Sequence, residues 1–152
     1  MGSNVSLEGF LARLLPAATW LRYVVTAALV LATALLTWPR DRRYPTGLRE
    51  FALVTTVVCL IVPNLWYHQQ VLLLIPAFAV VEHALSTAGR RWMLAPALIG
   101  YLLADIHGLV WHALEPYPLL ASTPFYYALL LWALLAWLSL SPKRATVVAQ
   151  AA

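Results

Sequence analysis

The feature that most constrains this chain is where its charged residues lie: they occur at the ends of long apolar runs and almost never within them. Only 11% of the residues are charged and 62% are hydrophobic, whereas a soluble domain carries about 25% charged residues. A soluble chain of this composition would expose large apolar patches and aggregate. The sequence therefore predicts an all-α integral membrane protein, with residues 1–152 forming a single membrane domain.

Five apolar runs, with their flanking residues, are long enough to cross a bilayer as helices. The first has a tryptophan at each end, which is typical of anchors at the membrane interface. The second is short, and it reaches a sufficient length only if its helix already includes residues 49 and 50. The predicted spans are 20–38, 49–62, 66–85, 92–114 and 124–140.

Beyond the first predicted span, the cations of the chain fall in every second connection between spans, so they all lie on one side of the membrane. Arginines lie between the first and second spans and between the third and fourth, and Lys143 and Arg144 follow the fifth. The other two connections contain no cation. Because Lys and Arg remain on the cytoplasmic side, the sequence predicts a multi-pass plasma-membrane protein with its N-terminus outside and a cytoplasmic tail at 141–152. Membrane topology thus accounts for the positive net charge of the chain, so nucleic acid is not expected as a partner.

Residues 1–16 are predicted to form an external amphipathic helix on the membrane surface. Ser6 can cap this helix, and Glu8 is favourable in its first turn. Arg13 and Glu8 are predicted to point away from its apolar face, and Pro16 ends it. The apolar face consists of residues at helical spacing: Leu7, Phe10, Leu11, Leu14 and Leu15.

An uncharged polar segment, 63–70, separates the second apolar run from the third. It is dense in hydrogen-bonding and stacking groups, whereas a simple connector needs only turn residues. His68 in this segment either contacts water at the end of a helix or contacts a ligand. The clustering of other hydrogen-bonding and aromatic groups around it favours contact with a ligand. The sequence predicts a site for a polar ligand with an apolar tail, built from Asn64, Trp66, Tyr67, His68 and Gln69.

Asp105 is the only acidic residue deep within a predicted span, where ionisable groups are costly and usually paired or functional. Two interpretations stay open. In the first, Asp105 lies on a helix face that lines a polar cavity opening outward, with His107 pointing the other way. In the second, the helix ends near Ala104 and an external loop begins at Asp105. The face proposed in the first interpretation also carries Tyr101, Gly108 and His112.

The four histidines do not have the spacing of a metal site. Neither H-x-x-x-H nor H-E-x-x-H occurs. His68 and His83 lie near opposite ends of one predicted span, about 20 Å apart along a continuous helix. No metal and no cofactor are expected.

Two motifs resemble segments of the polyprenol-phosphate-mannose-dependent mannosyltransferases, glycosyltransferase family eighty-seven of the GT-C superfamily. Residues 4–13, NVSLEGFLAR, resemble the family's N-x-S-L-x-G-x-x-x-R segment. Residues 62–68, VPNLWYH, resemble its S-P-x-x-W-x-H motif, with Val62 in place of the serine. The likeness covers essentially the whole chain, but it corresponds only to the C-terminal part of such an enzyme.

The resemblance implies a GT-C-like C-terminal half and an inverting transferase. Its donor would be a polyprenyl-phosphate sugar, with mannose as the hexose, and its acceptor a glycan or glycolipid at the outer membrane face. His68 would lie near the donor phosphate as the catalytic histidine, while Pro63 and Trp66 would shape its loop. Asn4, Ser6 and Arg13 would form the second motif on the same side of the membrane. Asn64, Tyr67, Gln69 and Asp105 join them as residues expected to contact substrate.

The resemblance also implies a residue that this chain lacks. GT-C enzymes use an acid in the first external loop as the catalytic base, and Asp41 lies in a loop predicted to be cytoplasmic. The chain is therefore expected to be a fragment or split half of an enzyme, with an N-terminal half and membrane lipid as partners. The alternative hypothesis is a non-catalytic five-span subunit that scaffolds a complex or binds lipid.

Overall fold

The computed structural model describes residues 6–38, 47–62, 71–114 and 116–141. Within these ranges the protein is all-helical and contains no strand, which confirms the all-α part of the predicted class. Short 3-10 turns at Arg91–Met93 and Leu120–Ser122 lead into the last two helices. The helices are α1 (Leu7–Leu14), α2 (Thr19–Thr37), α3 (Leu48–Ile61), α4 (Leu74–Ser86), α5 (Leu94–Leu114) and α6 (Thr123–Leu140).

Helices occupy each of the five apolar ranges. Two helical segments of the described chain, Thr19–Thr37 and Leu120–Leu140, are long and apolar enough to cross a membrane by length and composition. At 1.5 Å per residue, α2 is about 28 Å long, close to the thickness of a bilayer's hydrocarbon core. These two segments suggest membrane association, while five crossings remain a prediction.

Helix α6 is the centre of the bundle and packs against α2, α3, α4 and α5. Leu131 and Leu135 on α6 are fully buried, as are Leu53 and Leu60 on α3. A polar contact joins α6 to α2, since the indole N–H of Trp132 donates to the Thr33 hydroxyl at 2.8 Å.

Two contacts fix the direction of the helices relative to α6. Arg49, at the start of α3, donates to the carbonyl of Leu138 near the end of α6 at 3.1 Å. Arg90, just before α5, donates to the Ser141 hydroxyl at 3.5 Å. We call this the arginine end of the bundle. Helix α1 packs at the opposite end, the α1 end, because Phe10 stacks on Phe125 at the start of α6.

Much of the outer surface of the bundle is apolar. Leu109 on α5 is 84% exposed, and Trp20 and Leu35 on α2 are each more than 60% exposed. Each of the helices α2 to α6 contributes exposed large hydrophobic residues. A water-soluble monomer does not present apolar area on this scale, whereas a lipid-facing surface does.

The contact between α5 and α6 depends on a glycine. A methyl group at Gly100 would lie 2.7 Å from Cδ2 of Tyr127 and 3.2 Å from Cδ2 of Leu130. Gly100→Ala is therefore expected to lower the free energy of unfolding by about 1–3 kcal/mol, the usual cost of overpacking. Unfolding in mixed detergent micelles measures this. In a Tyr127→Ala background the same change should cost little, and an equal cost in both backgrounds would contradict the proposed clash.

Candidate functional site

A buried polar cluster lies at the α1 end, where α1, the second half of α5 and the start of α6 meet. We define the polar cluster as Arg13, His107 and Ser122. Ser122 is fully buried and His107 is 2% exposed, while Arg13 is half-buried. Within an otherwise apolar interior, such a grouping is the first place to expect binding or chemistry.

Ser6 acts as the cap of α1, as predicted. Its hydroxyl accepts the backbone N–H of Gly9 at 3.5 Å, and Glu8 lies in the first turn. Glu8 also forms an ion pair with Arg22 on α2. The N-terminus of α1 is thereby tied to α2.

Arg13 is oriented toward the bundle, and the prediction that it points away from the apolar face of α1 is wrong. Its Nε and Nη2 atoms donate to the Ser122 hydroxyl at 3.3 and 3.0 Å. That hydroxyl in turn donates to the carbonyl of Pro118 at 2.7 Å. Burial lowers the pKa of the Arg13 guanidinium, and the neighbouring Tyr126 acts in the opposite direction. The structure thus holds a cation at the edge of the buried interior.

Aromatic stacking fixes α1 in this position. The ring of Phe10 lies 4.5 Å from that of Phe125 in a stacked geometry and 5.6 Å from Tyr126 edge to face. These contacts place the last turn of α1, and with it Arg13, over the start of α6. The predicted amphipathic helix therefore packs against the start of α6 on one side and is exposed on another.

His107 and Ser122 are the members of the cluster that the sequence analysis did not assign to a site. His107 lies against the backbone of Leu120, within electrostatic reach of Arg13. The missed signal is a stripe of small residues, because small residues allow the close packing of membrane helices. Ala97, Gly100, Ala104 and His107 share one face at three- and four-residue spacing. Gly100 is half-buried, and the other three are 5% exposed or less.

Helix α5 continues past Asp105 to Leu114, so the interpretation of Asp105 as the start of an external loop is wrong. The helix departs from α geometry only at Val110. Asp105 and His112 are exposed, on the side of α5 away from His107. Asp105 is absent from the linings of both cavities given below, so a polar cavity around it remains a prediction.

The other predicted site residues lie outside the described ranges: Asn4, Asn64, Trp66, Tyr67, His68 and Gln69. The described residues on either side of segment 63–70 can be placed relative to the two ends of the bundle. Helix α3 starts at the arginine end and finishes at Ile61, and α4 starts at Leu74 and finishes at the arginine end. Val62 and Val71 therefore both lie toward the α1 end, the end that holds the polar cluster.

An apolar groove of about 410 Å³ lies between α4 and α5. Tyr101 and Tyr127 meet edge to face there, with 6.3 Å between their ring centroids. The groove has the walls that an extended hydrocarbon chain requires. Its lining consists of Ala77, Val81, Leu85, Leu94, Ala97, Leu98, Tyr101 and Tyr127.

Among the described residues, no group of three or more His, Cys, Asp and Glu side chains is placed to hold a metal ion. Comparison with protein-family models, curated proteins and solved structures finds no match to this chain. The glycosyltransferase resemblance therefore stays a prediction that rests on two short motifs.

Proposed function

We propose that this chain is the C-terminal membrane part of a glycosyltransferase. It transfers a hexose, mannose, from a polyprenyl-phosphate sugar to a glycan or glycolipid acceptor at the outer membrane face. The observation that carries the proposal is made at the α1 end: two positions of the first motif, Ser6 and Arg13, are buried or half-buried at this end of an apolar bundle. Val62 and Val71, which flank the polar segment 63–70, lie toward the same end.

The distribution of charge supports the proposed orientation. Arg49 and Arg90 lie at the arginine end, opposite the polar cluster. If cations mark the cytoplasmic side, the polar cluster faces outward, where a lipid-linked sugar would be presented. The exposed apolar surface on α2 to α6 supports five crossings, because each of these helices would face lipid or another membrane segment.

The proposed reaction is a displacement at the anomeric carbon of the donor. A bond forms between this carbon and an acceptor hydroxyl oxygen, and its bond to the phosphate oxygen breaks. Polyprenyl phosphate leaves with the bonding electron pair, and cationic His68 and Arg13 would stabilise its negative charge. The hydroxyl proton passes to the ionised carboxylate of an acidic residue, which acts as the base and would be supplied by the proposed N-terminal half. The groove between α4 and α5 would receive isoprenoid units of the donor.

A pair of substitutions separates the functional from the structural role of Arg13. Arg13→Gln and Ser122→Ala both disrupt the contact between these two side chains, but only the first removes the positive charge. In the complete enzyme, Arg13→Gln is expected to lower transfer at limiting donor about tenfold or more, since a charge-assisted phosphate contact is lost. Ser122→Ala should leave transfer within about twofold of wild type. Equal losses in both variants would contradict a role for Arg13 in donor binding.

A non-catalytic subunit is the second candidate, and one observation favours it. The Arg13 guanidinium is engaged by Ser122, so it already serves to hold α1 on α6. A five-span scaffold or lipid-binding subunit would need no more than this. It predicts a stoichiometric partner that remains bound after mild detergent extraction, and an isolated monodisperse monomer would count against it.

A further inference from the structure

The arginine end contains a cavity that the proposed reaction does not use. Its volume is about 750 Å³, and it lies between the start of α3, the end of α4 and the end of α6. We call it the inner cavity. Its polar lining includes Arg49, Glu50, Glu82, His83, Arg90 and Ser141.

Two arginines in this lining, Arg49 and Arg90, have positive charge and hydrogen-bond donors that the neighbouring residues do not fully satisfy. Arg49 donates to the Leu138 carbonyl and approaches Glu50 at 3.6 Å. The contact with Glu50 is made by the Nη2 atom and is longer than a hydrogen bond. This end of the guanidinium therefore keeps donor capacity for an acceptor inside the cavity.

Arg90 has only neutral partners within the described part of the chain. Its Nη1 atom donates to the Ser141 hydroxyl at 3.5 Å, and its guanidinium lies 4.1 Å from the centre of the Trp137 ring. Neither described ion pair includes Arg90. A half-buried guanidinium without a carboxylate partner is a strong site for an anion, above all for a phosphate with paired acceptor oxygens.

The position of the cavity matches the level of lipid headgroups. Trp92 and Trp137 pack edge to face at this end, with ring centroids 5.5 Å apart. Tryptophan clusters are typical of the membrane interface, where one side of the ring is apolar and the other is wet. The exposed Glu82 carboxylate also lines the cavity and would attract an ammonium group.

From these observations we propose that the inner cavity binds a phosphate group linked to a primary ammonium, the chemistry of ethanolamine phosphate. Arg49 and Arg90 contact the phosphate, and Glu82 contacts the ammonium. A phospholipid headgroup and a free phosphoethanolamine share this chemistry. The site is distinct from the polar cluster and does not depend on the proposed transfer reaction.

Native mass spectrometry of the full chain in detergent, with lipids added singly, tests this proposal. Retention is expected to be strongest for phosphatidylethanolamine, weaker for phosphatidylglycerol and weakest for phosphate-free diacylglycerol. Arg90→Gln should weaken phosphatidylethanolamine binding about tenfold, the usual loss for one charge-assisted contact. Arg91→Gln is the matched control, because Arg91 is exposed, adjacent and outside the lining. It should bind as wild type does.

Two further variants keep the test independent of folding. Arg90→Lys retains the charge and should retain most of the binding, and exposed Glu82→Gln should remove the preference for phosphatidylethanolamine over phosphatidylglycerol. Competition by soluble phosphoethanolamine would identify a free ligand, and its failure to compete would identify a lipid. The proposal is overturned if diacylglycerol binds as tightly as phosphatidylethanolamine, or if Arg90→Gln and Arg91→Gln bind alike.

Discussion

Replacing His68 with alanine in the proposed transferase is expected to lower sugar transfer by a factor of about 10² or more, the usual contribution of a positioned acid or base. In the proposed reaction, an imidazolium beside the departing phosphate would stabilise charge that develops only as the donor bond breaks. Initial rates with saturating polyprenyl-phosphate mannose measure the effect. Membrane insertion and protein level should stay at wild-type values.

The control for this experiment is His83→Ala. His83 is a histidine at the arginine end of the bundle, outside both motifs. Replacement of His83 should leave transfer unchanged, because the proposed reaction does not use the arginine end. Wild-type rates in His68→Ala would remove His68 from the mechanism, and equal losses in the two variants would indicate a general effect of losing a histidine.

Replacing Leu131 with alanine is expected to lower the free energy of unfolding by about 2–5 kcal/mol, the range for a buried leucine that leaves a cavity. Leu131 is fully buried on α6, the helix that packs against four others. In a bilayer the loss comes from packing, because lipid tails are as apolar as leucine, so the lower part of the range is expected. Unfolding in mixed micelles measures it.

Leu140→Ala is the matched control on the same helix. Leu140 is 66% exposed, and an exposed substitution usually changes stability by less than about 0.5 kcal/mol. The loss of unfolding free energy is expected to be much larger at Leu131 than at Leu140, because α6 is the central helix of the bundle. Similar losses at both positions would show that α6 does not form the core of the bundle.

The helices could be predicted from the sequence because their signals are local. Trp20 and Trp38 mark the ends of the first apolar run, and α2 begins and ends within one residue of them. Ser6 and Pro16 bracket α1 in the same way. Apolar length, capping residues and proline act within a few residues of where they occur, so one sequence is enough to place them.

The orientation of side chains within the bundle was harder to predict. On α5, the charge of Asp105 favours it as a site residue in the sequence. In the structure, however, Asp105 is exposed and His107 is buried. In a membrane bundle, small residues decide which face packs inward, because the apolar residues of a helix are equally at home in lipid. The stripe of Ala97, Gly100 and Ala104 was therefore a better guide than polarity.

The inner cavity could not be predicted at all. It brings together Arg49, Arg90 and Ser141, which are far apart in the sequence and meet only because the start of α3 lies at the same level as the ends of α4 and α6. The contact between Arg13 and Ser122 spans 109 positions and has the same origin. Such juxtapositions depend on helix packing, which apolar periodicity leaves open.

The central claim is that the α1 end receives a lipid-linked sugar, and photo-crosslinking tests it most directly. Native membranes would be treated with a polyprenyl-phosphate mannose that carries a diazirine next to its phosphate, and the adducts mapped by mass spectrometry. The account predicts adducts within residues 4–13 and 63–70 that excess unlabelled donor suppresses. Adducts spread evenly over the lipid-facing helices, or insensitive to unlabelled donor, would contradict it.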